Sequence, residues 1–373
     1  MADNFKKIMR VPSHRLLARA DFRGKRVLVR VDFNVPVKDG KVEDTRRIDA
    51  EIPTLKKILE RGAKEINIIC HFGRPAGVDK KFSTAPIAKI LAEKLKVKFD
   101  PKPQKTTQKS PALKSYYQLG DKFRLFENLR FDPREEKNSS EFARELAELG
   151  DVFVQDAFAN IHRKHTSMVK LQEILPTYAG LLVEREINFL FRFLAAPEKP
   201  FVAIIGGAKI EDKLPVIEAL SKKADAVLIG GATANEWILD HHKKTGNVFL
   251  PSDGINKLGA IVPINEQTIK NGIFDIGPQT LLLYKSILAT AKTIFWNGNL
   301  GMTENKRFVH GTYELTRYIA KLKAEKVASG GNTADVIDYL KLNDRFDFIS
   351  TGGSATSDLI TGKKLPALEM LLK

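Results

Sequence analysis

Short apolar runs alternate along the chain with longer segments whose apolar residues recur at helical spacing. In the second half, the run at residues 202–205 ends in a Gly-Gly pair, and comparable runs end in glycine pairs at residues 230–231, 330–331 and 352–353. A run without polar interruption is typical of a strand covered on both faces. The alternation of strand and helix therefore predicts an α/β protein built on parallel sheets flanked by helices.

The first half shows the same alternation. Strands are predicted at residues 26–35, 65–70, 123–130 and 151–155, with a short strand near Val97, and helices at residues 47–61, 85–95 and 141–149. Residues 101–120 are rich in Pro, Lys, Gln, Thr and Ser, so they are predicted to form an exposed loop. A strongly apolar helix at residues 181–193, followed by a proline-containing break, is interpreted as the connector between two domains.

The glycine pair at residues 206–207 indicates anion binding. Glycine lets backbone amides approach a ligand closely, and a helix that starts directly after it offers unpaired N–H groups. Lys209 and Lys213 are four positions apart, so on such a helix both would reach the same anion. An ordinary turn with two solvated lysines is the alternative. Recurrence of the unit favours a polyphosphate site, although the chain has neither a P-loop nor a G-x-G-x-x-G pattern.

Polar side chains also collect where the predicted strands of the first half end. They are Asp32, Asn34, His71, Arg74, Arg130 and Arg163, with Arg47 at the start of a helix nearby. Arginine pairs bidentately with phosphate and with carboxylate, so the set suits a small molecule that carries both groups. Each residue taken alone is explained equally well as a solvated surface side chain, and the joint placement at strand ends is what favours a site.

Composition narrows the functional classes. The chain has 373 residues, 43% of them hydrophobic and 28% charged, which suits about two domains. Apolar runs stay far below the roughly 18 residues that span a bilayer, the N-terminus lacks the apolar segment of a secretory signal, and the single cysteine, Cys70, fits a cytoplasmic location. The net charge of +16 would attract nucleic acid, acidic membranes or phosphorylated metabolites. Because the lysines are scattered, specific nucleic-acid binding is disfavoured.

Several ordered motifs carry a family resemblance. They are RVDFNVP at residues 30–36, HFGRP at 71–75, ENLRF at 127–131, DAF at 156–158 with HR at 162–163, GGAK at 206–209 with DK at 212–213, WNG at 296–298, Gly301, Glu304 and STGG at 350–353. Over nearly its whole length the chain resembles phosphoglycerate kinase. The resemblance implies two Rossmann-like lobes: residues 1–178 for 3-phosphoglycerate, with the tail 365–373 packing back on them, and residues 197–364 for the nucleotide. An interdomain helix at residues 179–196 joins them, and a hinge closes them.

The resemblance also implies roles for individual residues. Those that would hold the phosphoglycerate are Asp32, Phe33, Asn34, Arg47, His71, Arg74, Arg130 and Arg163. Those that would hold ATP or ADP with Mg²⁺ are Gly207, Ala208, Lys209, Lys213, Gly231, Asn297, Glu304, Gly330, Gly331, Asn332 and Thr333. Arg47 and Lys209 are expected to be catalytic, because they would compensate the charge of the transferring phosphoryl group. The family is usually monomeric.

Some positions depart from the family pattern. Asn332 replaces the aspartate that helps to hold the metal, which should weaken magnesium binding. Other small residues or prolines are replaced by Ala159, Asn160, Ala232, Ile273, Asn299 and Ser354. Two functions therefore stay open: a working kinase that transfers phosphate between 1,3-bisphosphoglycerate and ADP, and a catalytically weakened or regulatory relative that binds phosphoglycerate with impaired Mg-nucleotide binding.

Overall fold

A computed structural model of the protein describes residues 11–242 and 246–373, which form two compact units. The first unit extends to Phe191 and includes Lys364–Lys373, and the second is Arg192–Lys363. The N-terminal heptapeptide, on which the expectation about a secretory signal rests, lies outside the described residues. No helix in the described ranges is both long enough and apolar enough to cross a membrane.

The first unit is built on a seven-stranded sheet with the order β5-β6-β7-β4-β1-β8-β9. Its strands are β1 (Arg26–Arg30), β4 (Glu65–Ile69), β5 (Gln104–Lys105), β6 (Ser115–Leu119), β7 (Phe123–Phe126), β8 (Val152–Gln155) and β9 (Thr177–Ala179), and a separate hairpin pairs β2 (Val37–Lys38) with β3 (Lys41–Val42). Strands β7, β4, β1, β8 and β9 run parallel, whereas β5 and β6 are antiparallel additions at one edge.

Helices cover both faces of this sheet. They are Arg46–Glu60, Ala85–Leu95, Ser140–Ala147, Pro366–Leu372 and the part of Leu181–Ala195 up to Phe191, with 3-10 turns at Ser13–Arg15, Leu17–Arg19, Lys80–Phe82, Leu129–Phe131, Phe158–Asn160 and Lys170–Glu173. Val27 and Val29 of β1 pack into one hydrophobic core, and Leu28 packs into another on the opposite face. Burial on both faces explains why the strand is a continuous apolar run.

Two predictions for the first unit are wrong. Residues 101–120 are not a loop, because β5 and β6 extend the sheet there and Ala112 and Leu113 are fully buried. The polar composition belongs to an edge strand, where charged and proline residues protect against pairing with other chains. The strand predicted near Val97 is only an isolated bridge between Phe99 and Leu119.

The second unit contains a six-stranded parallel sheet with the order β12-β11-β10-β16-β17-β18. These strands are β10 (Phe201–Ile205), β11 (Ala226–Ile229), β12 (Val248–Phe249), β16 (Thr293–Asn297), β17 (Glu325–Ser329) and β18 (Phe348–Ser350). A smaller antiparallel sheet places β13 (Asp253–Asn256) between β14 (Ile261–Pro263) and β15 (Ile273–Ile276). The helices are Leu214–Ser221, Gly231–Leu239, Glu266–Lys270, Pro278–Leu288, His310–Lys321, Gly331–Tyr339 and Ser354–Ile360, with 3-10 turns at Lys306–Phe308 and Asn343–Arg345.

The segment after β10 differs from its prediction. The helix does not start at the glycine pair but at Leu214, so Lys209 and Lys213 lie in the preceding turn and do not share a helical face. Gly207 has φ +131°, outside the helical region, and the N–H of the buried Ile210 donates to the Glu236 carboxylate at 2.6 Å. By contrast, the helices after β11 and β17 begin at the second glycine of each pair, Gly231 and Gly331.

Candidate active site

Four neighbouring parallel strands of the first unit, β7, β4, β1 and β8, bring the predicted anion-binding residues to one edge of the sheet. Arg130 follows β7, His71 and Arg74 follow β4, Asp32 and Asn34 follow β1, and Arg163 follows β8. Carboxyl ends of parallel strands are the usual place for ligands in open α/β sheets. The edge therefore gathers the polar residues that the motifs singled out.

Asp32 connects this edge to the helix Arg46–Glu60. Its buried carboxylate pairs with the guanidinium group of Arg47, whose side chain is 35% exposed. The Asn34 side chain accepts a hydrogen bond from the Gly73 N–H at 2.9 Å, which ties the β1 and β4 loops together. Phe33 is fully buried, so its side chain belongs to the core and only its backbone is left for a ligand.

Three arginines share a pocket. Arg74, Arg130 and Arg163 line a volume of about 480 Å³ together with Pro75, Glu136 and His165. Arg130 donates to the Gly73 carbonyl at 2.5 Å and pairs with Glu136 at 2.8 Å. Burial, together with the other guanidinium groups, lowers the pKa of Arg130 and of Arg163. Positive charge in the pocket exceeds negative charge, which is the condition for binding an anion.

His71 lies buried beside these arginines as a neutral imidazole. Burial, and then the positive charges of Arg30, Arg130 and Arg163, hold its pKa well below the ordinary histidine value. Arg30 was not predicted as a site residue, yet it is fully buried, donates to Ser167 Oγ at 2.9 Å and lies 3.3 Å from His71 Nδ1. A charged residue inside the apolar run of β1 was the signal that could have revealed it.

The second unit contains a cleft of about 290 Å³ beside its glycine turns. Of the residues predicted to hold the nucleotide, those that line it are Gly207, Ala208, Gly231, Glu304 and Asn332. Its apolar wall consists of Ile264, Ile273, Phe274, Ile276 and Met302. A lining that combines glycine turns and polar groups with an apolar wall suits a ligand with a charged part and a flat apolar part.

The other predicted nucleotide residues lie around the cleft rather than in its lining, and they are Lys209, Lys213, Asn297, Gly330, Gly331 and Thr333. Lys213 is partly buried, its ammonium group bonds the Asn297 side chain, and burial lowers its pKa. Thr333 Oγ accepts from the Gly298 N–H at 2.8 Å and so holds the loop after β16. Lys209 is exposed.

Asp275 lies in the cleft wall and was not predicted. Its carboxylate accepts from the N–H groups of Gly311 at 2.8 Å and Ile276 at 2.9 Å, and burial raises its pKa to about 7. The only signal in the sequence is an aspartate inside the apolar β15 segment. A Cβ atom at Gly301, or at Gly311 in the first turn of His310–Lys321, would overlap this carboxyl group, so the carboxyl group of Asp275 is closely packed against both glycines.

Gly206→Ala should lower the free energy of unfolding by about 1–3 kcal/mol. A Cβ atom at this position would overlap the backbone carbonyl of Asn299, so the turns after β10 and β16 would have to separate. Urea unfolding measures the change, and ADP titration should show weaker binding in parallel. Gly246→Ala is the matched control, since a Cβ there meets nothing within 4 Å. Equal stability of the two variants would contradict the prediction.

Comparison with known proteins identifies the family. The family model described as phosphoglycerate kinase matches residues 17–268 and 238–363. The phosphoglycerate kinase of Fervidobacterium nodosum is 39% identical over 387 residues, covering 93% of this chain and 96% of that protein. The phosphoglycerate kinase of Thermus thermophilus is 38% identical over 393 residues, covering 96% of this chain and 99% of that protein.

Solved structures agree. Phosphoglycerate kinase from Coxiella burnetii superposes with a TM-score of 0.79 at 33% identity, covering 95% of this chain and 97% of that one. The enzyme from Pyrococcus horikoshii gives a TM-score of 0.80 at 31% identity, covering 95% and 98%. The predicted α/β class with two Rossmann-like lobes and the resemblance seen in the motifs are both confirmed. The chain belongs to the phosphoglycerate kinase family.

Proposed function

We propose that the protein transfers a phosphoryl group reversibly between 1,3-bisphosphoglycerate and ADP, giving 3-phosphoglycerate and ATP. It is a kinase, a phosphotransferase that acts on a carboxyl group. Family membership over nearly the full length supports the reaction. The observation in the structure that carries the proposal is the pocket of Arg74, Arg130 and Arg163, in which guanidinium groups lie together without enough negative charge to balance them.

The first lobe, residues 1–178 with the tail 365–373, is proposed to bind the phosphoglycerate. Arg74, Arg130 and Arg163 would hold one anionic group of the substrate, because guanidinium forks match phosphate and carboxylate oxygens. The neutral His71 would donate a hydrogen bond from Nε2, since Arg30 faces Nδ1. Asp32 and Asn34 would orient Arg47 and the substrate hydroxyl.

The second lobe, residues 197–364, is proposed to bind ATP or ADP, with residues 179–196 as the connector. Gly231 and Gly331 start nine-residue helices, whose dipoles favour the phosphates. In the first of these helices the N–H groups of Gly231 and Thr233 already donate to the carbonyls of Leu300 and Gly207. Glu304 lines the same cleft and would accept from the ribose, while Lys209 and Lys213 lie in the neighbouring turn. The apolar wall would take the base.

Magnesium is proposed to enter with the nucleotide. Within residues 11–242 and 246–373, no group of three or more His, Cys, Asp and Glu side chains could hold a metal by itself. Asn332 is exposed in the cleft and would offer one neutral oxygen, which fits a cation whose other ligands are phosphate oxygens and water. The ion would neutralise phosphate charge, and Arg47 and Lys209 would compensate the charge on the transferring group.

A coupled assay with ATP, Mg²⁺ and 3-phosphoglycerate tests the proposal. Turnover well above that of the Lys209→Ala variant is expected. No turnover above that variant would reject the kinase and leave the weakened or regulatory relative, which the family comparisons do not favour. In that case calorimetry should detect phosphoglycerate binding with weak or absent Mg-ADP binding.

Asn332→Asp should tighten Mg-ADP binding roughly tenfold, because a carboxylate is a stronger magnesium ligand than an amide. Calorimetry of ADP with and without Mg²⁺ measures the effect, and the gain should vanish without the metal. Gln267→Glu is the control, since it adds the same charge on an exposed position of Glu266–Lys270. Unchanged affinity in the Asn332→Asp variant would mean that Asn332 does not approach the metal.

The monomeric state, the cytoplasmic location and the absence of specific nucleic-acid binding stay predictions. The proposed partners are the two pairs of small-molecule substrates. Because these substrates are anionic, they account for part of the attraction of anions that a net charge of +16 implies. A steep salt dependence of binding to DNA or RNA would contradict the last of these predictions.

A further inference from the structure

Two carboxyl groups meet in the interior of the first unit, beneath Asp32. Glu51 and Asp156 are both fully buried, and their side chains hydrogen-bond each other. In the part of the chain that the structure describes, the buried Glu51 Oε2 and Asp156 Oδ2 find no N–H or hydroxyl donor. Two ionised carboxylates in that position would repel each other, and the nearby positive charges and hydrogen-bond donors would offset the repulsion only in part. One proton between them resolves the contact.

Retention of that proton agrees with the surroundings. Burial raises the pKa of both groups, Asp156 raises that of Glu51 further, and the charges of Arg30 and Arg47 oppose the rise only in part. The other ionisable neighbours, Cys70 and Glu184, carry no positive charge that could stabilise two ionised carboxylates in place of the proton. Burial raises the pKa of the Cys70 thiol to about 12, and burial and Asp156 raise the pKa of Glu184. The pair titrates as one unit.

Glu51 ties Arg47 to the strand edge. It lies one helical turn after Arg47 in Arg46–Glu60, and its Oε1 accepts the backbone N–H of Asp32 at 2.8 Å. The Asp32 carboxylate in turn pairs with the Arg47 guanidinium group. The helix that carries Arg47 is thereby joined to the end of β1 at two points, by the side chain of Arg47 and by that of Glu51.

Asp156 anchors the opposite side of the pair. Its Oδ1 accepts the Val183 N–H at 3.0 Å, and Thr54 Oγ accepts the Leu181 N–H at 2.9 Å. Both donors belong to the first turn of Leu181–Ala195. The carboxyl group of Asp156 is closely packed against Gly180, since a Cβ atom at that glycine would overlap it.

We propose that Glu51 is a positioning residue for phosphoryl transfer. The proton that Glu51 shares with Asp156 keeps it in place, so that Glu51 fixes Asp32 and Asp32 holds Arg47 in its working orientation. The inference rests on the proposed function. It adds a residue that contacts no substrate and that neither the strand-end pattern nor the motifs indicated. Glu51 supplies the hydroxyl donor to Asp156, and its other oxygen remains free to accept from Asp32.

Two substitutions that keep the size of the side chain distinguish a positioning role of Glu51 from a role that only fills space. Glu51→Gln keeps both hydrogen bonds, because the amide donates to Asp156 while its oxygen accepts from Asp32, so kcat should stay within about twofold of the wild type at neutral pH. Glu51→Met keeps the volume but loses both bonds, so kcat should fall by about 10- to 100-fold. KM for ATP should change little in either variant.

The pH dependence gives a second readout. The folded protein binds the shared proton more tightly than the unfolded chain, whose carboxyl groups have ordinary pKa values. The stabilising contribution is therefore complete at low pH and is lost as pH rises through the raised pKa of the pair. Wild-type stability and kcat should decline as pH rises through the raised pKa of the pair, while Glu51→Gln, which has no carboxyl proton to lose, should lack this decline.

The outcomes are distinct. No turnover by the wild type would reject the proposed function, and this inference with it. Wild-type turnover with equal kcat in the Gln and Met variants would reject this inference alone, as would identical pH profiles for the wild type and Glu51→Gln. Loss of kcat in the Met variant, rescue by Gln and a pH profile that differs between the wild type and Glu51→Gln together would support it. Thermal unfolding of each variant identifies any loss that comes from misfolding.

Discussion

Replacing Arg47 by alanine should lower kcat for phosphoryl transfer by about 10²- to 10³-fold, because it removes a cation expected to stabilise charge in the transition state. The side chain is 35% exposed and paired with Asp32, so it starts from a defined position at the edge of the sheet. KM for ATP should change little, since ATP is proposed to bind the other lobe. Steady-state kinetics in both directions measure the effect.

Arg46→Ala provides the matched control. Arg46 is the preceding residue on the same helix, but it pairs with Asp44 at 2.6 Å instead of with Asp32. Its removal should leave kcat nearly unchanged. Arg47→Lys keeps the charge and loses the fork geometry, so it should recover only part of the rate. If Arg46→Ala and Arg47→Ala lowered kcat equally, net charge near the helix would explain the effect and the catalytic assignment would be wrong.

Lys209→Ala should lower kcat by about 10²- to 10³-fold, by the same loss of charge compensation. Lys209 is exposed in the turn between Gly207 and the helix Leu214–Ser221, so the free side chain can reach a phosphate without first breaking a buried contact. The affinity for ADP should fall less than kcat. Single-turnover measurements at saturating nucleotide separate the two effects.

Lys222→Ala is the control for this variant. Lys222 is also exposed and follows the same helix at its other end. Its removal changes net charge by the same amount without touching the glycine turn, so kcat and ADP affinity should stay at wild-type values. A Lys209→Ala variant with weak ADP binding but unchanged kcat at saturation would make Lys209 a binding residue and not a catalytic one.

The strands were predictable wherever both faces of a sheet are covered. Residues 202–205 and 226–229 form uninterrupted apolar runs, and the structure contains β10 and β11 there. The same logic failed for residues 101–120, because β5 is the edge strand of the sheet, an edge strand faces solvent along one side, and its sequence is selected for polarity. Composition alone does not distinguish such a strand from a loop.

The start of the helix after β10 could not be predicted from the sequence either. The apolar residues after Gly207 fit helical spacing, but Gly207 adopts φ +131° and the Ile210 N–H is taken by Glu236. That hydrogen bond joins residues 26 positions apart. A local pattern contains no information about such a partner, so tertiary contact overrode the helical preference of the segment.

The candidate site was predictable where its residues follow the ends of strands, and not in the buried residues that support them. Arg74, Arg130 and Arg163 follow strands, and their position relative to β4, β7 and β8 follows from parallel pairing. Arg30 and Glu51 look like ordinary polar positions of a strand and a helix. Yet Glu51 lies three residues after Ile48 and four before Leu55, both buried, so the apolar face of the helix already contained a charged residue. That spacing was the available signal.

The first unit is assembled from two separated parts of the chain, and this affects how it can be made. Ala367 N–H donates to the Ile161 carbonyl at 3.2 Å, and Arg15 donates to the Met370 carbonyl at 3.0 Å. Ile161 immediately precedes the segment that holds Arg163. During translation, the ribosome must therefore deliver all of the second unit before the first unit is complete. Until then, the nascent N-terminal half exposes the apolar surface against which Leu368 and Leu371 pack in the folded protein.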